Sequence, residues 1–100
     1  MTTLPSMMKA VAIREPGGPE ALETVEVARP EPGPGELLIR VVAAGVNRPD
    51  VLQRLGLYRV PEGASPLPGL EAAGEVVAVG AGVDSARVGE QVTALCNGGG

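Results

Sequence analysis

The sequence changes character at one point that limits the possible folds: an apolar run within residues 36–46 leads directly into a segment with helix-initiating chemistry. Such a run is typical of a buried strand. Asn47 is a favourable N-cap, Pro49 fits the first helical turn, and Asp50 stands three residues after the cap. Gly56 is expected to end the helix. The sequence therefore predicts a long strand followed at once by a short helix.

Two side chains with useful chemistry flank this predicted helix. Asn47 opens it and Tyr58 follows it, so we expect both to face the space beyond the end of the strand. Junctions between strands and helices often carry functional groups. Each residue also has a structural explanation, because Asn47 serves as a cap without any substrate and Tyr58 can pack against the following loop. Both roles of Asn47 are compatible, since an amide has separate donor and acceptor ends.

The helix itself has an apolar side and a pair of opposite charges. Val51, Leu52 and Leu55 are spaced to share one face. Asp50 and Arg54 are four residues apart, which favours an ion pair on the helix surface. The alternative for Arg54 is a contact with an anionic cofactor.

The remainder of the chain has the composition of a mainly β protein. Short apolar segments are separated by clusters rich in glycine and proline, which favours a small barrel or sandwich in one domain. Besides the strand described above, we predict strands at residues 8–13, 22–27, 71–79 and 91–95. Gly74, inside one of them, indicates a bulge or a close backbone approach. Glu71 begins that apolar segment, so we expect it to be buried with a polar partner.

Composition excludes several classes of protein. The net charge is −4 with no visible basic patch, which argues against nucleic-acid binding. No apolar run approaches the ~20 residues that span a bilayer. The sequence has no histidine and a single cysteine, Cys96, so it cannot form an internal disulfide or assemble a typical zinc site. Tyr58 is the sole aromatic residue, so the core must be built from aliphatic side chains.

The two ends of the chain carry little pattern. Residues 1–7 are expected to form a flexible lead, and residues 8–100 the domain. Residues 97–100 have the composition of a turn with no element after it. We interpret the chain as a fragment of a longer protein.

Five stretches in the same order resemble the N-terminal, chaperonin-ten (GroES)-like domain of the medium-chain dehydrogenases/reductases. The resemblance implies a partly open β-barrel with one short helix and covers almost the whole chain. The stretches are Met-Lys-Ala-Val (8–11), Pro-Gly-Pro-Gly-Glu-Leu-Leu-Ile (32–39), Ala-Gly-Val-Asn (44–47), Gly-Leu-Glu-Ala-Ala-Gly-Glu-Val (69–76) and Val-Gly-Glu-Gln-Val (88–92).

Two departures from the family pattern are informative. Zinc alcohol dehydrogenases carry a cysteine where this chain has Asn47, and a histidine where it has Leu70. The chain therefore resembles the zinc-independent members, zeta-crystallin and the quinone oxidoreductases. Residues 47–58 and 94–100 are most similar to the tumour-suppressor-inducible type of quinone oxidoreductase.

The resemblance implies a cytoplasmic enzyme that reduces quinones with NADPH and binds no metal, nucleic acid or membrane. It places Tyr58 and Asn47 in the catalytic site, Asn47 on the nicotinamide side, and Tyr58 and Leu70 against the substrate. It also implies a homodimer or homotetramer formed through a Rossmann domain that these residues lack. A dinucleotide fingerprint is absent, because the glycines at positions 80 and 82 lead into neither a third glycine nor an apolar helix.

Two alternatives remain at this point. An enoyl-thioester reductase of the same superfamily also carries a tyrosine near this place. A free-standing chaperonin-ten-like module that only oligomerises is the non-enzymatic alternative. It would predict a chain complete near residue 100 and a seven-fold ring.

Overall fold

The computed structural model describes residues 4–96. The elements are β1 (Met7–Ile13), β2 (Leu22–Ala28), β3 (Leu37–Ala44), α1 (Arg48–Arg54), β4 (Glu71–Val79) and β5 (Gln91–Leu95). Two short 3₁₀ turns, Pro19–Ala21 and Ser85–Arg87, lie in the connections. The predicted mainly β fold with one short helix is confirmed. The expected turn at residues 97–100 and the start of the expected lead, residues 1–3, lie outside the described residues.

The described residues divide into two compact units. The first contains residues 4–29, 46–70 and 96, and with them β1, β2 and α1; the second contains residues 30–45 and 71–95, and with them β3, β4 and β5. Each unit has its own antiparallel sheet, ordered β1-β2 and β3-β4-β5. Residues 4–96 therefore contain no closed barrel. Nor does this part of the chain contain a helix long and apolar enough to cross a membrane.

The sheet of the first unit is a regular hairpin. Its register runs without interruption from the pair Met7 and Ala28 to the pair Ile13 and Leu22. The connection holds Ala21, which is buried, and the backbone N–H of Arg14 donates to the carbonyl of Ala21 at 2.9 Å. Met8, Ala10 and Ala12 of β1 are half-buried and share one face of the strand, as the two-residue period of a strand requires.

The segment before β1 is joined to the end of β2. Arg29 donates from its backbone N–H to the carbonyl of Ser6 at 2.9 Å, and from its side-chain Nε to the carbonyl of Pro5 at 2.8 Å. These bonds extend the hairpin to the two residues that precede β1.

In the second unit, β4 carries one more residue than the facing part of β3. Leu38 pairs with Ala78, whereas the next residue, Ile39, pairs with Val76. Val77 is therefore an extra residue between two otherwise regular pairs.

Strand β3 carries a matching extra residue a few positions further on. Val41 pairs with Gly74, whereas Ala43 pairs with Ala73. Val42 is the extra residue here, and it is 78% exposed. The bulge that the sequence predicts near Gly74 is therefore present, on the strand that faces it.

Gly74 also makes the predicted close backbone approach. It is buried, and a Cβ atom at this position would overlap the carbonyl oxygen of Arg40 and crowd the Cγ2 atom of Ile39. The sheet can bring its backbones together here because position 74 has no side chain.

The prediction that β3 is a buried strand is wrong for its second half. Leu37, Leu38 and Ile39 are half-buried, but all residues from Arg40 to Ala44 are exposed. Strand β3 lies at the edge of its sheet, and an apolar sequence is buried only where another layer covers it. The apolar run therefore identifies the strand correctly without determining its burial.

Candidate active site

Helix α1 begins as the sequence predicts. Asn47 is its N-cap, with extended backbone angles of φ −125° and ψ 167°. The backbone N–H of Asn47 donates to Oδ2 of Asp50 at 2.9 Å, and the two residues form a capping box. Oδ1 of Asp50 is buried and has no hydrogen-bond partner among the described residues. The start of the helix is therefore fixed by groups three residues apart.

The end of α1 is fixed just as locally. Gly56 has a positive φ of 81°. Its N–H donates to the carbonyl of Gln53 at 3.0 Å, and the N–H of Leu57 donates to the carbonyl of Leu52 at 2.8 Å. These two bonds form a Schellman motif, which reverses the chain direction after a helix. Tyr58 follows immediately, so its backbone position is set by this turn.

Tyr58 is half-buried, and within residues 4–96 its hydroxyl makes no hydrogen bond. Asn47 is also half-buried. The structure places the two residues at opposite ends of α1, which spans seven residues and is therefore about 10 Å long. That both side chains contact one acceptor stays a prediction.

Leu70 lies at the other predicted substrate position. It is half-buried, and its carbonyl accepts a hydrogen bond from the backbone N–H of Cys96. Its side chain remains half accessible, and its contact with a substrate stays a prediction.

The expectation that Glu71 is buried is wrong. Glu71 is exposed at the first position of β4, and its carboxylate lies so close to Gly45 that a side chain there would overlap it. An apolar sequence neighbourhood did not bury this residue, because strand ends are accessible even when strand centres are covered.

The expected ion pair between Asp50 and Arg54 is not formed within the described residues. Asp50 instead bonds the backbone of Asn47, and Nε of Arg54 donates to the carbonyl of Gly17 at 3.1 Å. The competing partner of Arg54 is 37 positions away in sequence, so the helical spacing could not have revealed it. Leu55, expected on the apolar face, is the C-cap residue and is 40% exposed.

Sequence reasoning did not predict an open surface cavity in the second unit. It has a volume of about 480 Å³ and is formed by the ends of the three strands at residues 43–45, 71–73 and 93–95. Its walls are mainly alanine, with Glu71, Thr93 and Leu95. None of the three predicted site residues lines it.

The structure allows a test of whether these residues can hold the phosphates of a dinucleotide. Such phosphates bind where a glycine-rich turn opens a helix. The glycine-rich segment at residues 80–82 leads instead into a turn and the three-residue 3₁₀ turn Ser85–Arg87. The described chain therefore does not fit the phosphate end of NADPH. Within residues 4–96, no three His, Cys, Asp or Glu side chains are grouped to hold a metal.

The sequence model of the alcohol dehydrogenase GroES-like domain matches residues 33–99. The chain belongs to this domain family. The match includes four of the five stretches that carried the resemblance in whole or in large part, and it confirms the superfamily that they indicated.

Several individual proteins are similar to this chain in sequence or in structure. The chain is 43% identical over 83 residues to a phenolphthiocerol/phthiocerol polyketide synthase of Mycobacterium tuberculosis, covering 83% of this chain and 4% of that protein. It is 44% identical over 86 residues to a quinone oxidoreductase of Pseudomonas aeruginosa, covering 86% and 26%. A solved mycobacterial structure complexed with NADPH superposes with a TM-score of 0.77 at 41% identity, covering 91% and 29%.

This chain therefore covers less than a third of the length of each of these proteins. The names of these proteins refer to chains that are much longer than the matched segment.

Proposed function

We propose that this chain is the substrate-side domain of a longer, zinc-independent oxidoreductase that reduces quinones with NADPH. The observation that carries the proposal is the α1 segment, with Asn47 at its N-cap and, just after its C-terminal turn, the phenol of Tyr58, which makes no hydrogen bond within residues 4–96. The likeness to a quinone oxidoreductase and to an NADPH-complexed structure supports it.

The chemistry of a quinone fits the groups that this segment offers. A quinone is flat and apolar, and its two carbonyl oxygens gain negative charge on reduction. Bound NADPH supplies the hydride. A phenol donor near one oxygen stabilises the charge as it develops, and the ring of Tyr58 offers a flat apolar surface to a flat acceptor.

Asn47 has a second role in this proposal. Its backbone N–H donates to Asp50 and its side-chain oxygen belongs to the capping box, while the NH₂ end of the amide is a separate donor. We assign it to the nicotinamide side, where its amide would orient the nicotinamide ring against the acceptor. Leu70 is assigned to the apolar wall of the acceptor site.

The test is a set of variants in the full-length polypeptide that carries this sequence. Tyr58→Phe keeps the ring and removes the donor, so kcat/KM for a quinone should fall by roughly ten- to a thousand-fold, with an unchanged melting temperature. Leu57→Ala is the matched control, because Leu57 is adjacent but 72% exposed and carries no polar group. If Tyr58→Phe retained the kcat/KM of the wild type, Tyr58 would have no role as a donor in the reaction.

Substitutions at Asn47 separate its two roles. Asn47→Ala should destabilise the protein by about 1 kcal/mol through loss of the cap and also slow hydride transfer. Asn47→Asp caps equally well but loses the amide donor, so its stability should be retained while turnover falls. If Asn47→Asp turns over normally, Asn47 is a cap and nothing more.

Zinc independence has its own measurement. Positions 47 and 70 hold asparagine and leucine, side chains that do not ligate zinc. Purified full-length protein should contain far less than one zinc per chain by elemental analysis, and chelators should leave quinone reduction intact. Loss of activity on chelation would contradict this part of the proposal.

An enoyl-thioester reductase is the second candidate, and the likeness to a polyketide synthase favours it. A phenol donor would serve an enolate oxygen as well as a quinone oxygen. Parallel turnover assays with a quinone and with a 2-enoyl thioester distinguish the two, since the better substrate should have the higher kcat/KM by at least tenfold.

A further inference from the structure

We propose that Arg54 is a positioning residue that acts through Tyr58. Together with the turn between β1 and β2 it forms a brace, consisting of Arg54, Pro16 and Gly17, that holds the C-terminal end of α1 in place. This inference rests on the proposed function, because it assigns Tyr58 as the group that is positioned.

The first contact of the brace is reciprocal. Nε of Arg54 donates to the carbonyl of Gly17 at 3.1 Å, and the backbone N–H of Gly17 donates to the carbonyl of Arg54 at 2.9 Å. The side-chain bond is partly buried and involves a charged donor, so it is among the stronger hydrogen-bond types. Two bonds between the same two residues define their relative orientation as well as their distance.

The second contact of the brace lies closer to Tyr58. Pro16 faces Gly56 so closely that a Cβ atom at position 56 would lie 3.0 Å from Cβ of Pro16. Gly56 is the turn residue of the Schellman motif, two positions before Tyr58. Gly17 therefore contacts Arg54, the last helical residue, and Pro16 contacts the chain reversal that follows it.

A neighbouring bond holds the chain on the far side of Tyr58. Nε2 of Gln53 donates to the carbonyl of Pro66 at 2.8 Å, which links the last turn of α1 to the loop after Tyr58. This bond is exposed, so we expect it to hold less firmly than the Arg54 bond. Adjacent side chains of α1 thus restrain the backbone before and after Tyr58.

Positioning matters because a donor to a developing charge must meet it at hydrogen-bond distance. Displacement of a catalytic group by about 1 Å can cost about a hundredfold in rate. Tyr58 follows a turn, which is less rigid than a helix, and the brace supplies the missing rigidity. Arg54 contributes to turnover through this effect without touching the substrate.

The kinetic test compares Arg54→Met in two backgrounds of the full-length polypeptide. Methionine keeps an aliphatic stem and removes the donor. In the wild-type background kcat for the quinone should fall about tenfold, whereas in the Tyr58→Phe background the same change should alter kcat less than twofold. KM for NADPH should stay within twofold. Equal losses of kcat in both backgrounds would overturn the proposal, and a tenfold rise in KM for NADPH would show that Arg54 binds the cofactor instead.

A spectroscopic test does not depend on turnover. 3-Fluorotyrosine placed at position 58 gives one ¹⁹F resonance, which Arg54→Met should shift or broaden. Arg87→Met is the matched control, because Arg87 lies in the second unit and pairs with Glu90. An unchanged resonance in Arg54→Met would refute the brace. A changed resonance in a protein that turns over no quinone would keep the brace and refute the proposed function.

Arg54→Lys covers the case in which Arg54→Met does not fold. Lysine retains the charge and a donor but not the guanidinium geometry. It should retain the melting temperature, partly restore kcat and give an intermediate ¹⁹F shift. Wild-type kcat and an unshifted resonance in Arg54→Lys would show that the geometry of the Arg54–Gly17 bond does not position Tyr58.

Discussion

The α1 segment, residues 47–58, and strand β3 show two different relations between sequence and structure. The capping bonds at both ends of α1 join residues no more than five positions apart, and the brace adds bonds from a distant turn at the C-terminal end. Strand β3 is apolar along almost its whole length, yet its first three residues are half-buried and the remainder are exposed. Local bonds follow from neighbouring residues, whereas burial follows from what lies over the strand.

The strongest perturbation of the sheet should come from Gly74. Gly74→Ala would place a methyl group on the backbone carbonyl of Arg40, which cannot move away as a flexible side chain can. We expect a loss of about 3 kcal/mol of unfolding free energy, measured by urea denaturation.

A control separates this clash from the intrinsic effect of replacing glycine. A methyl group at position 82 would have no other atom within 4 Å. Gly82→Ala therefore costs only the strain of placing alanine at a positive φ of 82°. Its loss should be about 1 kcal/mol. Equal losses at the two positions would mean that the sheet adjusts around position 74.

Strand β3 provides an internal comparison of burial. Leu38→Ala removes a half-buried side chain and should destabilise the protein by about 2 kcal/mol. Val42→Ala removes one that is 78% exposed and should change stability by less than about 0.5 kcal/mol. Thermal unfolding of both variants tests the difference, and a large loss at Val42 would show that this side chain is covered in solution.

The end of α1 should respond to a change at Gly56. Gly56→Ala puts a side chain on a residue with φ of 81° and brings it against Pro16, so we expect a loss of about 1–2 kcal/mol. Gly56→Asn should lose less of the φ-dependent part, because asparagine tolerates this conformation better. An identical melting temperature for wild type and Gly56→Ala would contradict the Schellman assignment.

A small effect should come from the ion pair across β3 and β4. Nη2 of Arg40 lies 2.7 Å from Oε1 of Glu75, its direct cross-strand partner, with side-chain exposures of 70% and 30%. A double-mutant cycle with Arg40→Gln and Glu75→Gln should give a coupling of about 0.5 kcal/mol that disappears in high salt. A coupling that persists in salt would indicate a pair more shielded than its exposure suggests.

These two regions also explain how much of the molecule could be predicted. The capping chemistry of Asn47 and Asp50 predicted the start of α1, and alternation with turn residues predicted β4 and β5 with their observed bounds. The partner of Arg54 could not be predicted, because it depends on a turn 37 residues away. The expected burial of β3 and of Glu71 was wrong, because an apolar pattern does not determine which parts of a strand another layer covers.

The candidate site follows the same division. The positions of Asn47 and Tyr58 relative to α1 are local and were predicted correctly. The brace at Gly17 and the cavity between strand ends were not predicted, because both join segments far apart in sequence.

The two extra residues of the β3–β4 ladder produce two register shifts in opposite directions. Val77 displaces the ladder by one position and Val42 displaces it back, so only the three pairs between them are offset. A ladder without either bulge would be regular, with the same chain length and unmoved connections. It would also place Arg40 opposite Val76 and turn the middle of β3 over. Within the offset part Arg40 lies opposite Glu75, so the two extra residues together determine which side chains pair across the middle of the ladder.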